Sequence, residues 1–264
     1  AMAGMEQGLN LNMNYHQQWI STPGSPRLTT FTADYNSGNE VGLGLNIYND
    51  IAGLISRTRV MGTYAYHLTL NDRGDRLNFG GSIGINDAYI DESSIIGDPN
   101  DQAIPEFNRH GLYADGDIGV AYTSTKFNAQ IALPNLKRLF FKSAVDDVDV
   151  EGSNFYAALS YKLQLSNDFN YSVFTIEPKM VFRSVIGFNN IVDLGFNLYR
   201  NTFEDNYQLN VLGIYHTDNS VTLGAGIDMH NFGVLFSYSY NTGPLSTYAN
   251  NTFELGISLK LLKK

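Results

Sequence analysis

The segment Phe253-Glu254-Leu255-Gly256-Ile257-Ser258-Leu259-Lys260-Leu261 carries an apolar residue at every odd position and a polar or very small one between. Successive side chains of a strand point to opposite faces, so this pattern describes a strand with one apolar and one wet face. The same alternation recurs along the whole chain, with hardly a helical period to interrupt it. Repetition on that scale predicts an all-β fold, a closed transmembrane antiparallel up-and-down barrel rather than a soluble sandwich.

The bulk chemistry fits. Charged residues make up 16% of the chain, against roughly 25% in ordinary soluble domains. Aromatics reach 13%, mostly Tyr and Phe, as expected of residues that ring the two membrane interfaces. No apolar run is long enough for a transmembrane helix, and mean hydropathy is only −0.18. A barrel hides in this way, because half of its strand residues face away from lipid. One large domain over 1–264 is the expectation, since all-β barrels often exceed ~200 residues without splitting. Cysteine is absent, which removes disulfides and thiolate metal sites. The start of the chain lacks the basic and apolar regions of a signal peptide and reads as processed or truncated. With a net charge of −9 and no basic stripe, nucleic acid is excluded as a partner.

About fourteen strand-like segments can be counted, an even number as in bacterial single-chain barrels. They run from Gly8 to Trp19, Leu28 to Tyr35, from Val41, Arg59 to Leu70, Leu77 to Ile85, Leu112 to Tyr122 and Phe127 to Leu133. Further strands begin near Phe155, Val173, Val192, Tyr207, Val221, Phe232 and Phe253. Connections after even strands are short: Asn36 to Asn39, Asn71 to Asp75, Thr123 to Thr125, Ser166 to Asn170 and His230-Asn231. The two longest, Asn86 to Gly111 and Pro134 to Gly152, follow odd strands. Short periplasmic turns and longer outer loops sort in this way, which puts both ends of the chain in the periplasm of an outer-membrane protein.

Parity then assigns the lumen. Arg59, Asp115, Asp117, Lys162, Glu177, Lys179, Arg183, Asp193, Asp228 and Glu254 fall opposite the lipid-facing set. Placing Arg or Lys at mid-bilayer on the lipid side costs roughly 2–4 kcal/mol, so these charges point inward. Both signs are present and can pair across the lumen, with Tyr113 and Tyr156 adding bulk. A poor conductor is the expectation.

Chemical motifs are scarce. The histidines His16, His67, His110, His216 and His230 are scattered, with no ligand pair at helical spacing, so no metal is expected. Asp147-Val148-Asp149-Val150-Glu151-Gly152 resembles half a calcium loop, but Ala158 stands where its bidentate Glu belongs, so it reads as a solvated acidic outer loop. Gly81-Ser82-Ile83-Gly84 and Gly224-Ala225-Gly226 open no helix and read as small lumenal residues rather than phosphate cradles. No nucleophile elbow orders the Ser, His and Asp residues, so neither a catalytic site nor a cofactor is expected. Leu136, Lys137, Arg138, Phe140 and Phe141 stand apart, as an apolar and basic stretch in a long outer loop. It either folds back into the barrel mouth or forms an exposed patch that binds a partner.

Several segments together resemble the PorP/SprF family of outer-membrane proteins from the type IX secretion and gliding motility systems of Bacteroidetes. Ala1-Met2-Ala3-Gly4 resembles the tail of that family's N-terminal NPAYAG stretch. Tyr15-His16-Gln17-Gln18-Trp19 with Gly24-Ser25-Pro26 is similar too, although the family often has Arg where His16 stands. Val41 to Leu45 with Asn49-Asp50, Tyr64-Ala65-Tyr66, Leu133-Pro134-Asn135-Leu136 and the segment from Asn251 to Leu261 extend the likeness over the whole length. Glu254 to Leu261 also resembles a barrel-insertion signal, but it continues into Leu262-Lys263-Lys264 instead of ending on an aromatic residue.

The resemblance implies a non-enzymatic outer-membrane component of type IX secretion. In that role it is a partner or surface anchor for a secreted adhesin-type cargo, held through the cargo's C-terminal signal domain. Its partners would be that cargo, translocon or periplasmic components, and outer-membrane lipid. The rival reading is a porin or small-solute channel, which needs a continuous water-filled path where an anchor needs none.

Overall fold

The computed structural model describes residues 1–20, 22, 24–91, 103–137, 153–166, 172–185, 189–202, 207–243 and 251–262. Strand β1 spans Gly8–Gln17, β2 Arg27–Asn36, β3 Val41–Ala52, β4 Ile55–Thr69 and β5 Arg76–Ile90. Helix α1 (Ala103–His110) precedes β6 (Leu112–Thr123) and β7 (Phe127–Leu133). Next come β8 (Ser153–Tyr161), β9 (Leu163–Ser166), β10 (Ser172–Val185), β11 (Ile191–Thr202) and β12 (Tyr207–His216). The order ends with β13 (Ser220–Met229), β14 (Phe232–Asn241) and β15 (Thr252–Leu261).

All of these strands belong to one antiparallel sheet, and the sheet closes. β1 pairs with β2 on one side and with β15 on the other, from Leu9 opposite Leu261 to Gln17 opposite Phe253. β8 and β9 both pair with the same edge of β10, so the fifteen segments make fourteen crossings of the membrane. The break between them has a local cause. Ile176 pairs with Leu163 and Lys179 with Ser160, which leaves Pro178 opposite the junction. Proline has no N–H to give to a ladder. At that point Lys162 N turns away and donates to Lys126 O at 2.7 Å.

The β1–β15 pairing closes the sheet on itself and leaves it without open side edges, as the membrane interior demands. The outward face is apolar: Ile83, Leu112 and Leu223 are 75%, 65% and 65% exposed, in contact with solvent that in a membrane is hydrocarbon. Outward aromatics collect at both ends of the strands. Tyr35, Tyr66, Phe79 and Phe232 stand near the short turns, and Tyr89, Tyr215 and Tyr240 near the outer loops. The inward face is polar and cross-linked between strands: Asn12 donates to Thr32, Asn14 to Glu254, and Thr63 bonds Ser82.

Three sequence expectations change. Asn86–Gly111 is not one structureless connection, because β5 runs on to Ile90 and α1 occupies Ala103–His110. Pro105 and Glu106 suit the first turn of that helix. Asn108 then ties it to the strand, accepting from Ile90 N at 2.7 Å and donating to Ile90 O at 3.1 Å. Gly81 is not lumenal. It pairs with Tyr64 and Ile118 on the lipid-facing side, and nothing lies within 4 Å of where its Cβ would be. Finally, the strand read as starting at Arg59 starts at Ile55. The acidic segment Asp147–Gly152 lies outside the described residues, except that β8 begins just after it.

Candidate functional site

The polar chemistry of the molecule is concentrated on the inner wall. Register places Arg59, Asp115, Asp117, Glu177, Lys179, Arg183, Asp193, Asp228 and Glu254 on the face opposite the apolar one. Arg59 on β4 grips two carboxylates of β6. Its Nη1 and Nη2 donate to Asp117 at 3.2 and 2.8 Å, and Nη2 also donates to Asp115 at 3.1 Å. A planar guanidinium matches a carboxylate with two parallel donors, which makes this the strongest type of ion pair.

The same two aspartates redirect the chain after β7. Asn135 adopts a left-handed backbone (φ 57°), and its N–H donates to Asp117 Oδ1 at 3.0 Å. The N–H of Lys137 donates to Asp115 Oδ1 at 2.9 Å, and its Nζ lies 3.6 Å from the centroid of the Tyr113 ring. Strand β7 is therefore only seven residues long, because side chains of β6 capture the backbone that would have continued it. The stretch Leu136-Lys137 thus begins by folding onto the inner wall. Arg138, Phe140 and Phe141 lie outside the described residues.

Two further networks cover the opposite wall. Lys179 Nζ sits 3.6 Å from Glu177, which also accepts from the Tyr199 hydroxyl at 3.0 Å. Near the outer rim Arg183 donates to Asp193 at 2.8 Å, and His216 Nδ1 is 2.6 Å from the same oxygen. His216 Nε2 continues to Thr222 at 2.8 Å, and Thr222 to Ser239 at 2.6 Å. Asp228 accepts from Asn210 at 3.0 Å. In these clusters opposite charges therefore cancel in place, within one strand, between neighbours or across one intervening strand.

Outer loops are stitched edge to edge above these networks. Gly53 N donates to Gly24 O at 3.1 Å, and Asp91 N to Leu54 O at 3.0 Å. No group of three or more metal-ligating side chains occurs among the described residues. Sequence reasoning overlooked His216, Tyr199, His67 and Asn78 as parts of the inner lattice. Parity alone would have turned all four inward, had it been applied to uncharged polar residues as well as charged ones.

A polar, charge-paired lumen inside an apolar, aromatic-girdled closed sheet is the architecture of an outer-membrane barrel. The family model for the type IX secretion system membrane protein PorP/SprF matches residues 1–259. The chain belongs to the PorP/SprF family. PorP/SprF membership accords with the fold of its structural neighbours. One, the CymD monoaromatic hydrocarbon channel, is 12% identical with a TM-score of 0.51, over 97% of this chain and 89% of that one. Another, the outer membrane protein Omp33 of Acinetobacter baumannii, is 8% identical with a TM-score of 0.50, over 98% of this chain and all (100%) of that one. At such identity they share the barrel with this PorP/SprF protein and nothing further. Among curated proteins, none matches the sequence. The PorP/SprF barrel is a protein of the outer membrane, associated with the secretion machinery.

Proposed function

We propose that this PorP/SprF barrel is a non-enzymatic partner and surface anchor for a secreted adhesin-type cargo, engaged through the cargo's C-terminal signal domain. Membership of the type IX secretion family over residues 1–259 is the observation that carries this reading. The inner wall supports it, because its charges are spent on one another in the Arg59, Glu177 and Asp193 clusters. An anchor needs a surface outside the membrane, and the connection after β7 supplies the longest candidate. Its first residues are pinned at Asp117 and Asp115, and Arg138, Phe140 and Phe141 follow them in the sequence. Aromatic and Arg side chains are enriched at binding hot spots.

The test is retention of a fused C-terminal signal domain on cells carrying the barrel. Replacing Phe140 and Phe141 with Ala is expected to leave the barrel folded and to weaken retention by roughly 1–4 kcal/mol. A double variant that folds and holds the domain with unchanged affinity removes this loop as the docking surface.

A further inference from the structure

Residues Ala1–Gln7, ahead of β1, run across the inner wall at the periplasmic end of the barrel. From Gly8 the chain passes Asp34 and Asn36 on β2, Gly42 on β3 and His67 on β4, and reaches Gly80 on β5 and Gly119 on β6. The segment lies across the strands rather than along them, and it turns at Ala3-Gly4, where Gly4 takes a left-handed backbone (φ 67°).

Two independent features mark the surface beneath it as a built site. The first is the absence of side chains where the segment passes. A Cβ on Gly80 would lie 2.5 Å from Ala1 Cα, and one on Gly42 would lie 2.8 Å from the carbonyl carbon of Ala3. The segment reciprocates: Gly4 has φ +67°, and its own Cβ would stand 2.6 Å from Gly42 Cα. The second feature is polar. Asp34 accepts from Gly4 N at 2.9 Å, Asn36 donates to Gly4 O at 2.6 Å, and His67 Nε2 is 3.0 Å from Ala3 O. His67 is 2% and Asn36 5% exposed, and each is braced from behind: His67 Nδ1 lies 2.8 Å from Asn78 Oδ1, and Asn36 Oδ1 accepts from Gly38 N at 2.7 Å. With the segment in place, the polar atoms of His67 and Asn36 that face it are all paired, as buried polar groups generally are.

We propose that this strip is a peptide-binding site whose ligand is the chain's own segment Ala1–Gly4. It recognises a main chain that crosses the strands and turns at a glycine, with glycine required at the position of Gly4 and alanine-sized side chains at Ala1 and Ala3. The segment acts as a tethered plug on the β2–β6 side of the periplasmic mouth. Recognition is through main-chain groups, so Ala1 and Ala3 contribute smallness, Met2 keeps its side chain exposed, and Asp34, Asn36 and His67 fix register.

The absence of cysteine makes the test direct. Ala1 Cβ lies 3.7 Å from where a Cβ on Gly119 would be, inside the roughly 3.5–4.5 Å range of disulfides. The full chain carrying Ala1→Cys and Gly119→Cys, folded in outer membranes, is expected to cross-link under mild oxidation. A partner cysteine at the outward position Gly81 should give no cross-link. Adding Gly4→Val, outside every strand, or His67→Ala should cut the yield at least tenfold while the barrel still shifts on gels before and after boiling. A folded barrel that fails to cross-link Ala1→Cys to Gly119→Cys overturns the proposal. So does a yield that Gly4→Val leaves unchanged.

Discussion

Removing the Arg59 guanidinium tests whether the inner-wall charges stabilise the barrel. In Arg59→Met the side-chain volume is nearly kept, but Asp115 and Asp117 lose three donated bonds between them. The Asp115 side chain is 1% exposed, so its charge has no solvent to fall back on. Breaking a buried pair in this way costs about 3–5 kcal/mol. The lower end applies, because Arg59 and Asp117 are 17% and 27% exposed and the backbone donors at Gly116, Asn135 and Lys137 remain. A loss of about 3 kcal/mol, roughly a hundredfold in the folding equilibrium, is expected. Denaturant titration of the barrel in phospholipid vesicles reads it, with the single Trp19 as the fluorescent reporter. Arg59→Lys keeps the charge but not the fork and should lose about half as much. Combining Arg59→Met with Asp115→Asn and Asp117→Asn should recover most of the stability, since no charge is then stranded. If Arg59→Met alone stays within about 0.5 kcal/mol of wild type, the cluster is decoration and the reasoning fails.

Other expectations follow from the same geometry. Ile83→Arg, at the middle of β5 on the lipid face, should destabilise the barrel by roughly 2–4 kcal/mol in the same titration, and a neutral result would put that face in water. Pure protein in planar bilayers should give little conductance because the Arg59, Glu177 and Asp193 clusters pair most inward charges; large, stable, ohmic steps would favour a channel. The protein should require detergent, show a β-type circular dichroism spectrum and migrate differently before and after boiling. A monomer stable in plain buffer would contradict the membrane assignment.

The fold was legible in the sequence because its determinant is local and repeated. Alternation fixes which face each residue of a strand joins, and the sorting of short and long connections fixes the direction of each strand. Arg59, Asp117 and Arg183 were assigned to the inner face by parity, since no other placement avoids charge in lipid. What escaped detection depends on three-dimensional neighbours. The junction at Lys162 follows from Pro178 on the next strand, a signal that is visible only once the pairing is known. The inward turn after Leu133 follows from Asp115 and Asp117 capturing backbone N–H groups some twenty residues downstream. The segment before Gly8 has no alternation to read, and its small residues make sense only against Gly42 and Gly80 on distant strands.

The pairing of β1 with β15 has a consequence for assembly. Asn14 and Glu254 bond across a separation of 240 residues, so the first strand made waits for the last before its outer edge is covered. Until Thr252–Leu261 emerges, the nascent sheet has two free ladders, each able to recruit a strand from another molecule. Loop-closure entropy grows only slowly with length, so the long separation costs little in final stability and much in exposure time. A chaperone or insertion machine handling this protein must therefore guard both ends of an open sheet at once. A chain truncated before Thr252 would present those edges permanently and should be cleared by proteolysis rather than inserted.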